Sequence, residues 1–416
     1  YTALNEQDEA RFVVDRAQDW FNNGNRRSES AILYRSNAQS RELEEALLRL
    51  GMPYRIYGGQ RFYERLEIKN AISYLRLLAN RDDDTAVERV INIPVRGIGG
   101  RTLEAIRKNA RKNNFSLWKA CINCINESII PPRAAKSLLK FLELIDGLAE
   151  ETKGLELQHK VDAVIKNTGL IPHHEKEGGE KARTRIENLG ELINAASNFE
   201  PTELTEIPSQ ESAEFLAAFL DQAALDAGEG QAAAEEDAVQ LMTLHSAKGL
   251  EFPLVFLVGL EEGLFPHKMS IDNLNGLEEE RRLCYVGITR AMNKLYVCHT
   301  ESRRLHGEIN LCRPSRFIKE IPSDLIEEIR LKSSISRSAV GGTRLGQNNV
   351  AKSLNGSVEV PDTDLSLGQR VLHAKFGEGV VLNYEGQGNS ARVQVNFDDV
   401  GSKWLVLSFA KLQSII

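Results

Sequence analysis

The stretch from Val239 to Ala291 constrains this chain more than any other. It opens on an apolar run, Val239-Gln240-Leu241-Met242-Thr243-Leu244, breaks at His245-Ser246-Ala247-Lys248-Gly249, and resumes as Phe252-Pro253-Leu254-Val255-Phe256-Leu257-Val258-Gly259. The second run shows no alternation of polarity, the pattern of a parallel strand covered on both faces. After Gly263 and Pro266 comes Leu277 to Ala291, whose apolar members recur three and four apart, as on the buried stripe of an amphipathic helix that ends on Arg290. In open α/β sheets ligands sit beyond the carboxyl ends of the strands, so the polar residues closing these runs point to a site there.

Earlier residues fit the same layer. A helix is expected over residues 4–23, a strand over Ala31-Ile32-Leu33-Tyr34, a helix from Ser40 to Leu50 stopped by Gly51, and a strand over Pro53-Tyr54-Arg55-Ile56-Tyr57 closed by Gly58-Gly59. Because strands resume only at 239, residues 60–237 read as an insertion. Its pattern is helical over 66–79, 84–92, 101–112, 133–150, 155–167, 180–199 and 211–227. Later, Lys294 to Thr300 and Ile309 to Cys312 read as a strand and its return, turning through Arg303-Arg304-Leu305-His306-Gly307. A last helix starts near Arg313, and the core ends by Arg330. Ser, Gly, Asn and Thr dominate 331–364, as in a flexible linker. Residues 365–416 alternate in four short runs separated by glycine-rich turns, enough for a small β-barrel.

Composition limits the classes open to such a chain. No run reaches the about 18 apolar residues of a membrane span, and no signal peptide is evident, which favours a cytoplasmic setting. Five cysteines, an odd number, lie mostly among apolar residues and fit reduced thiols. Cys121-Ile-Asn-Cys124 has no second pair or nearby histidine to complete a zinc site, and His173-His174 read as a solvated polar loop, so no metal site is expected. The net charge of −7 conceals segregation: Arg96 to Lys140 holds ten Lys/Arg against two acids, and Glu200 to Asp237 holds eleven acids and no Lys/Arg. Such asymmetry draws polyanions to one face and repels them from another, or reflects two ordinary solvated helix faces.

The string Thr243-Leu244-His245-Ser246-Ala247-Lys248-Gly249-Leu250-Glu251-Phe252 resembles motif V of the UvrD/Rep/PcrA superfamily 1 DNA helicases, and Tyr285-Val286-Gly287-Ile288-Thr289-Arg290-Ala291 resembles their motif VI. Ile32 to Arg41 resembles motif IVa and Tyr54 to Lys69 motif IVb. The resemblance implies an α/β fold: a RecA-like parallel-sheet domain (1–59 and 238–330, domain 2A) interrupted by a mostly helical accessory domain (60–237, domain 2B), then the linker (331–364) and a Tudor-like barrel (365–416). It further implies that Thr243 and His245 hydrogen-bond single-stranded DNA, that Glu251 bonds the ribose of ATP, that Gly287 and Arg290 line the nucleotide site, and that Arg290 acts as an arginine finger on the transferred phosphoryl group.

Pro94-Val95-Arg96-Gly97-Ile98-Gly99-Gly100-Arg101-Thr102 offers a tight turn before a helix N-terminus, a phosphate seat that needs no base contact. Arg96, Arg101, Arg107 and Lys108 add charge that releases counterions. The segment resembles the family's GIG motif, which implies duplex contact through Gly97, Ile98, Gly99, Arg101 and Thr102. Arg304 and His306 fall where the family carries a strand-separating hairpin, with His306 in a position often aromatic; plain sheet closure is the other reading. Arg35 either contacts single-stranded DNA or pairs with local acids. Arg281 and Arg282, beside Glu278, Glu279 and Glu280, read as ion-pairing residues.

The dipeptide Gly-Lys occurs nowhere, which rules out a G-x-x-x-x-G-K-[ST] phosphate loop in these residues, and no paired-acid magnesium site is evident. Tyr1 in place of Met suggests a fragment, and the resemblance to the helicases implies the C-terminal part of an ATP-dependent 3′-to-5′ DNA helicase serving repair and replication in a bacterial cytoplasm, at the nucleoid. ATP and Mg2+ would then be held jointly with an N-terminal half, leaving this part alone without turnover. The tail is expected to meet RNA polymerase or nucleotide-excision and mismatch repair proteins. The rival expectation is a non-catalytic DNA-binding or partner-binding module.

Overall fold

A computed structural model describes residues 1–201, 209, 211–228, 232, 235–271, 274–305, 307–329, 370–373, 376–385, 392–397, 401–406 and 412–414. The chain divides into two units, Tyr1–Ile335 and Ser336–Ile416. The expected linker falls outside the described residues, as does His306.

The first unit begins with β1 (Thr2–Ala3), α1 (Glu6–Asn22), β2 (Ser30–Tyr34), α2 (Ser40–Arg49) and β3 (Tyr54–Ile56). Nine helices follow before the next described strand: α3 (Leu66–Ala79), α4 (Asp84–Val90), α5 (Gly100–Asn113), α6 (Leu117–Asn126), α7 (Pro132–Glu151), α8 (Leu157–Asn167), α9 (Leu170–Glu175), α10 (Gly179–Asn198) and α11 (Ala213–Gly228). The chain then returns to β4 (Val239–Thr243), β5 (Phe252–Leu257), α12 (Lys268–Ile271), α13 (Leu274–Ile288), β6 (Ala291–Val297), β7 (His299–Thr300), β8 (Ser302–Leu305), β9 (Glu308–Leu311) and α14 (Arg316–Lys319).

The main sheet is parallel, in the order β3-β4-β2-β5-β6. Its register sets Tyr34 opposite Thr243 and Leu33 opposite Leu257. Alternate residues of each strand serve two cores, which is why the runs lack polar alternation. Ile32, Tyr34, Leu241 and Phe256 pack with Ala10, Val13 and Val14 of α1 and Leu47 of α2. Ala31, Leu33, Met242, Val255 and Leu257 pack with Leu283 and Cys284 of α13 and with Phe317. The helices between β3 and β4 enclose a third core of their own, centred on Tyr74, Leu138, Phe141, Val164 and Leu189.

Two of these helices escape the sequence pattern. α6 is built from poor helix formers, Cys, Asn and Ile, and is set by the Ser116 side chain accepting from the Lys119 N–H at its start. Its apolar face buries both Cys121 and Cys124, and burial pushes the Cys121 thiol up to about 12. α9 carries His173 and His174, expected in a solvated loop; instead His174 is buried and only 1% exposed. Its Nδ1 lies 3.2 Å from Glu177 Oε1. Although His173, His174 and Glu177 bring ligand atoms together, both Glu177 oxygens already accept from Arg185.

α13 stops at Ile288, so Arg290 sits in a turn and β6 starts at Ala291, three residues before the strand expected from Lys294. In the second unit, β10 (Arg370–His373), β11 (Gly377–Glu385), β12 (Arg392–Phe397), β13 (Gly401–Val406) and β14 (Gln413–Ser414) form an antiparallel sheet over Val371, Val381, Val393, Val395 and Phe397.

Candidate functional site

The strand register separates the motif residues into two groups. Thr243 closes β4 at the carboxyl edge of the sheet, level with Tyr34, whose carbonyl accepts the Leu244 N–H at 2.9 Å. Residues 244–251 then cross one face to the amino edge, where β5 begins beside β6 with Phe252 opposite Ala291. Six residues of strand at about 3.3 Å each set the two edges roughly 20 Å apart. Thr243 and His245 therefore lie at one edge, Glu251 and Arg290 at the other. Only the first pair lies at the carboxyl ends, the edge to which the strand pattern pointed.

At the amino edge, Arg290 is half-buried, and its backbone carbonyl accepts the Phe252 N–H at 2.9 Å. Its guanidinium is held by its own lobe: Nε donates to Val286 O at 2.9 Å, Nη1 to Leu250 O at 2.7 Å and Nη2 to Thr289 Oγ1 at 3.0 Å. A guanidinium carries about five N–H donors, so Nη1 and Nη2 keep one each. Glu251, between Leu250 and Phe252, is exposed, and its carboxylate has no partner among the described residues. Gly287 is buried against the sheet. A Cβ there would fall 2.6 Å from Leu244 Cδ2 and 3.2 Å from Leu257 Cδ1, so close helix–sheet packing by itself accounts for the glycine.

At the carboxyl edge, Thr243 Oγ1 lies 3.0 Å from Ser246 Oγ and accepts the Ser246 N–H at 3.2 Å, which fixes the turn and leaves the His245 ring exposed without a partner among the described residues. Arg35 resolves toward the second of its two readings. Its Nε and Nη2 grip the buried Glu280 carboxylate at 2.8 to 3.1 Å, where that carboxylate also accepts the His267 N–H. Burial raises the Glu280 carboxyl, but the hydrogen bonds and charge of Arg35 outweigh it and hold the carboxyl below its usual range. An arginine fork committed in this way is a brace between β2 and α13 rather than a free DNA contact, a correction to the first reading. Arg281 and Arg282 pair with Glu278, Glu320 and Glu279, as expected of the helix surface.

In the helical insertion the turn before α5 is only partly open. Asn92 Oδ1 accepts the N–H groups of Arg96 at 2.8 Å and Ile98 at 3.2 Å, so those two do not point outward as expected. The N–H groups of Gly97, Gly99, Gly100 and Arg101 have no partner among the described residues, and Gly99 caps α5. Gly97 adopts φ +80°, Ile98 is buried, and Arg101 is exposed beside half-buried Thr102. Arg96 turns inward: Nη1 bonds the carbonyls of Val90, Ile93 and Pro94, Nη2 bonds Tyr74 Oη and the Thr168 carbonyl, and the charge stacks on Tyr74 and Phe141. It is a structural hub, not a phosphate ligand. Arg107 pairs with Glu88, so of the four cations named for this segment Arg101 and Lys108 are the two without an ion pair or buried role among the described residues.

β8 and β9 pair as an antiparallel hairpin, with Leu305 opposite Glu308, and the arginines of β8 do not form a basic tip. Arg303 is buried between Glu9 and Glu261, while Arg304 bonds Ser197 and Asn198 at the end of α10. The hairpin root is thus pinned to the insertion, with Asn194 bonding both Arg304 O and the Gly307 N–H. Sequence reasoning missed Asn92, the inward role of Arg96 and the Glu9–Arg303–Glu261 triad. No local pattern hinted at them: Arg96 lies between Val95 and Gly97, and Arg303 in the polar run from Glu301 to Arg304.

Comparison with known proteins finds relatives over the whole chain. Residues 1–302 match the model of the UvrD-like helicase C-terminal domain, and residues 367–413 match that of the PcrA/UvrD tudor domain. The chain is 54% identical to DNA helicase II of Escherichia coli (strain K12), over all of its own length and 56% of that relative. It is 48% identical to DNA helicase II of Haemophilus influenzae, covering 55% of it, and 37% identical to the ATP-dependent DNA helicase PcrA of Staphylococcus aureus (strain Mu50), covering 56%. The chain thus spans a little over half the length of these curated relatives. A parallel sheet interrupted by helices, carrying motif residues at both edges and followed by a five-stranded tail, belongs to the UvrD-like helicase C-terminal domain family.

Proposed function

We propose that this chain supplies the second motor lobe, the duplex-binding insertion and the partner-binding tail of an ATP-dependent 3′-to-5′ DNA helicase that acts in repair and replication. In this reading residues 1–59 and 238–330 form the motor lobe, 60–237 the insertion, 331–364 a linker and 365–416 the tail. The observation that carries it is at the amino edge: the carbonyl of Leu250 anchors Arg290, and the next residue, Glu251, holds an exposed carboxylate with no partner among the described residues. These residues fit one wall of a nucleotide cleft. The carboxylate can accept from ribose hydroxyls, and the two uncommitted donors of Arg290, oriented by three bonds to its own lobe, can neutralise charge on a phosphoryl group without reorganising. ATP with Mg2+ supplies the phosphoryl transfer when bound, and the opposite wall must bring the phosphate cradle and the magnesium ligands, since Gly-Lys occurs nowhere in these residues.

Thr243 and His245 suit a sequence-independent path for single-stranded DNA, and Gly97, Ile98, Gly99, Arg101 and Thr102 a seat for duplex phosphates. The hairpin carrying Arg304 would stand by the strand-separation point, and the tail would meet RNA polymerase or repair proteins. The test is ATP hydrolysis stimulated by single-stranded DNA. The 416-residue chain alone should not turn over. In a protein of the relatives' full length, Arg290→Ala should cut turnover by roughly 10³-fold or more while leaving single-strand affinity intact. Arg290→Lys should not rescue it, because a point charge cannot keep the three anchors and reach a phosphate. Near-normal turnover in Arg290→Ala would remove the motor role and leave a DNA-binding or partner-binding module.

A further inference from the structure

Beyond the end of β5 the chain continues at the carboxyl edge and is paired by the segment after β9. The Glu262 N–H donates to Arg313 O at 2.9 Å and the Ser315 N–H to Leu260 O at 2.8 Å, with Glu261 bridged to Pro314. Between these segments and α14 opens a recess of about 600 Å³ lined by Glu262, Arg313, Pro314, Arg316 and Lys319. Its floor is rigid. Arg316 binds the Glu262 carboxylate with Nε at 3.0 and 3.2 Å and Nη2 at 2.7 Å, and its backbone N–H adds a bond of 2.7 Å. One positive and one negative charge are therefore spent on each other. Arg313 and Lys319 are exposed and make no hydrogen bond or ion pair among the described residues, although the charge of Lys319 joins Arg316 in lowering the Glu262 carboxyl; with one carboxylate against three cations, the recess carries two surplus positive charges.

We infer that Arg313 and Lys319 form a phosphate seat on single-stranded DNA, continuing the path that starts at Thr243 and His245; this rests on reading the carboxyl edge as that path. Only β2 separates β4 from β5, so the strand ends that lead to the two sites stand roughly 10 Å apart along the edge. Both lie on the side of the sheet covered by α13: Leu244 and Ala247, flanking His245, share a core with Phe317, which sits between Arg316 and Lys319. The lining offers charge and no aromatic surface, which suits backbone phosphates and not stacked bases.

The experiment is the salt dependence of binding to a labelled oligo-dT strand and to a blunt duplex, using the full-length protein. Each phosphate contact on a single strand contributes about 0.7 to the slope of log K against log salt. The double variant Arg313→Gln, Lys319→Gln should lower that slope by about 1.4, each single variant by about half as much, and duplex affinity should not change. Lys319→Glu should weaken single-strand binding further than Lys319→Gln. Both side chains are exposed and unbonded, so the variants keep the fold. An unchanged slope, or equal losses on both DNA forms, overturns the seat while leaving the path at His245 standing. Failure of the unaltered protein to bind oligo-dT overturns the path itself.

Discussion

Removal of the Arg303 guanidinium puts the buried charges of this fold to a quantitative test. Arg303 Nε bonds Glu261 Oε2 at 2.9 Å, and Nη2 bonds Glu261 Oε1 and Glu9 Oε2, each at 2.7 Å. The carboxylates are further held by the Thr300 N–H and Oγ1 at 2.9 Å and by the Gly259 N–H at 2.8 Å. Burial raises the Glu9 carboxyl, with Arg303 only partly offsetting it; at Glu261 burial is outweighed by Arg303, and the carboxyl stays below its usual range. Arg303→Met leaves two buried carboxylates facing each other without a cation, a change that costs roughly 3–5 kcal/mol. The first unit spans Tyr1–Ile335. At about 2.1 cal/mol/K per residue its unfolding entropy is roughly 0.7 kcal/mol/K, so a loss of about 4 kcal/mol lowers Tm by roughly 6 °C.

The pH dependence has a definite sign. In the unaltered protein Glu261, with its lowered pKa, contributes stability that is full above the unfolded value of about 4.3 and is lost as pH falls through the folded value. In Arg303→Met both carboxyls have raised folded values, so the variant loses stability as pH rises from about 4.3 toward neutrality. The gap between the two proteins must therefore be widest near pH 7 and close as pH falls toward 4. Thermal melts followed by circular dichroism across that range measure it. A deficit under about 1 kcal/mol at pH 7, or one independent of pH, refutes the claim that the triad is a desolvated charge cluster. Replacing all three groups with apolar residues of similar volume should recover most of the loss, since the charges then vanish together.

Two other outcomes follow from the glycines that the structure singles out. Gly287→Ala should cost about 1–3 kcal/mol in a thermal melt, because its Cβ would fall 2.6 Å from Leu244 Cδ2 in a closed core. Gly97→Val forces a β-branched residue to φ +80°, strain of about 1–3 kcal/mol; duplex binding should weaken more than single-strand binding, and equal weakening counts against a duplex seat at this turn.

The architecture was legible where hydrophobic pattern is the dominant physics. Strands β2, β4 and β5 announce themselves by runs without polar alternation, because each side of the sheet is covered. The long helices of the insertion follow from apolar residues spaced three and four apart. Pairings across the chain were not legible. Arg35 and Glu280 are 245 residues apart, and nothing local distinguishes Arg35 from a residue waiting for DNA. Arg96 failed for a related reason: cations in a sequence are read as solvated, whereas a cluster of carbonyls at Val90, Ile93, Pro94 and Thr168 draws this one inside. The edge on which Glu251 lies did have a signal. Parallel strands must all start at the same edge, so any residue directly preceding one sits at the amino edge, whatever ligand rule applies to the other.

That geometry gives the two edges a physical connection. The segment from Leu244 to Leu250 crosses the face of the sheet with one end at the proposed strand path and the other at the carbonyl that anchors Arg290. At its strand-path end, the packing of α13 on the sheet depends on Gly287, whose missing side chain admits Leu244, the neighbour of His245. Adjacency alone does not establish energetic coupling; a two-state element biased from both sites is required. The crossing segment meets the structural half of that requirement. It is short, it is bonded at both ends, and it is packed too closely against α13 for one edge to shift without displacing side chains shared with the other. A relay between strand and nucleotide would have to pass either through these seven residues or through α13, since β5 is fixed by its ladders to β2 and β6.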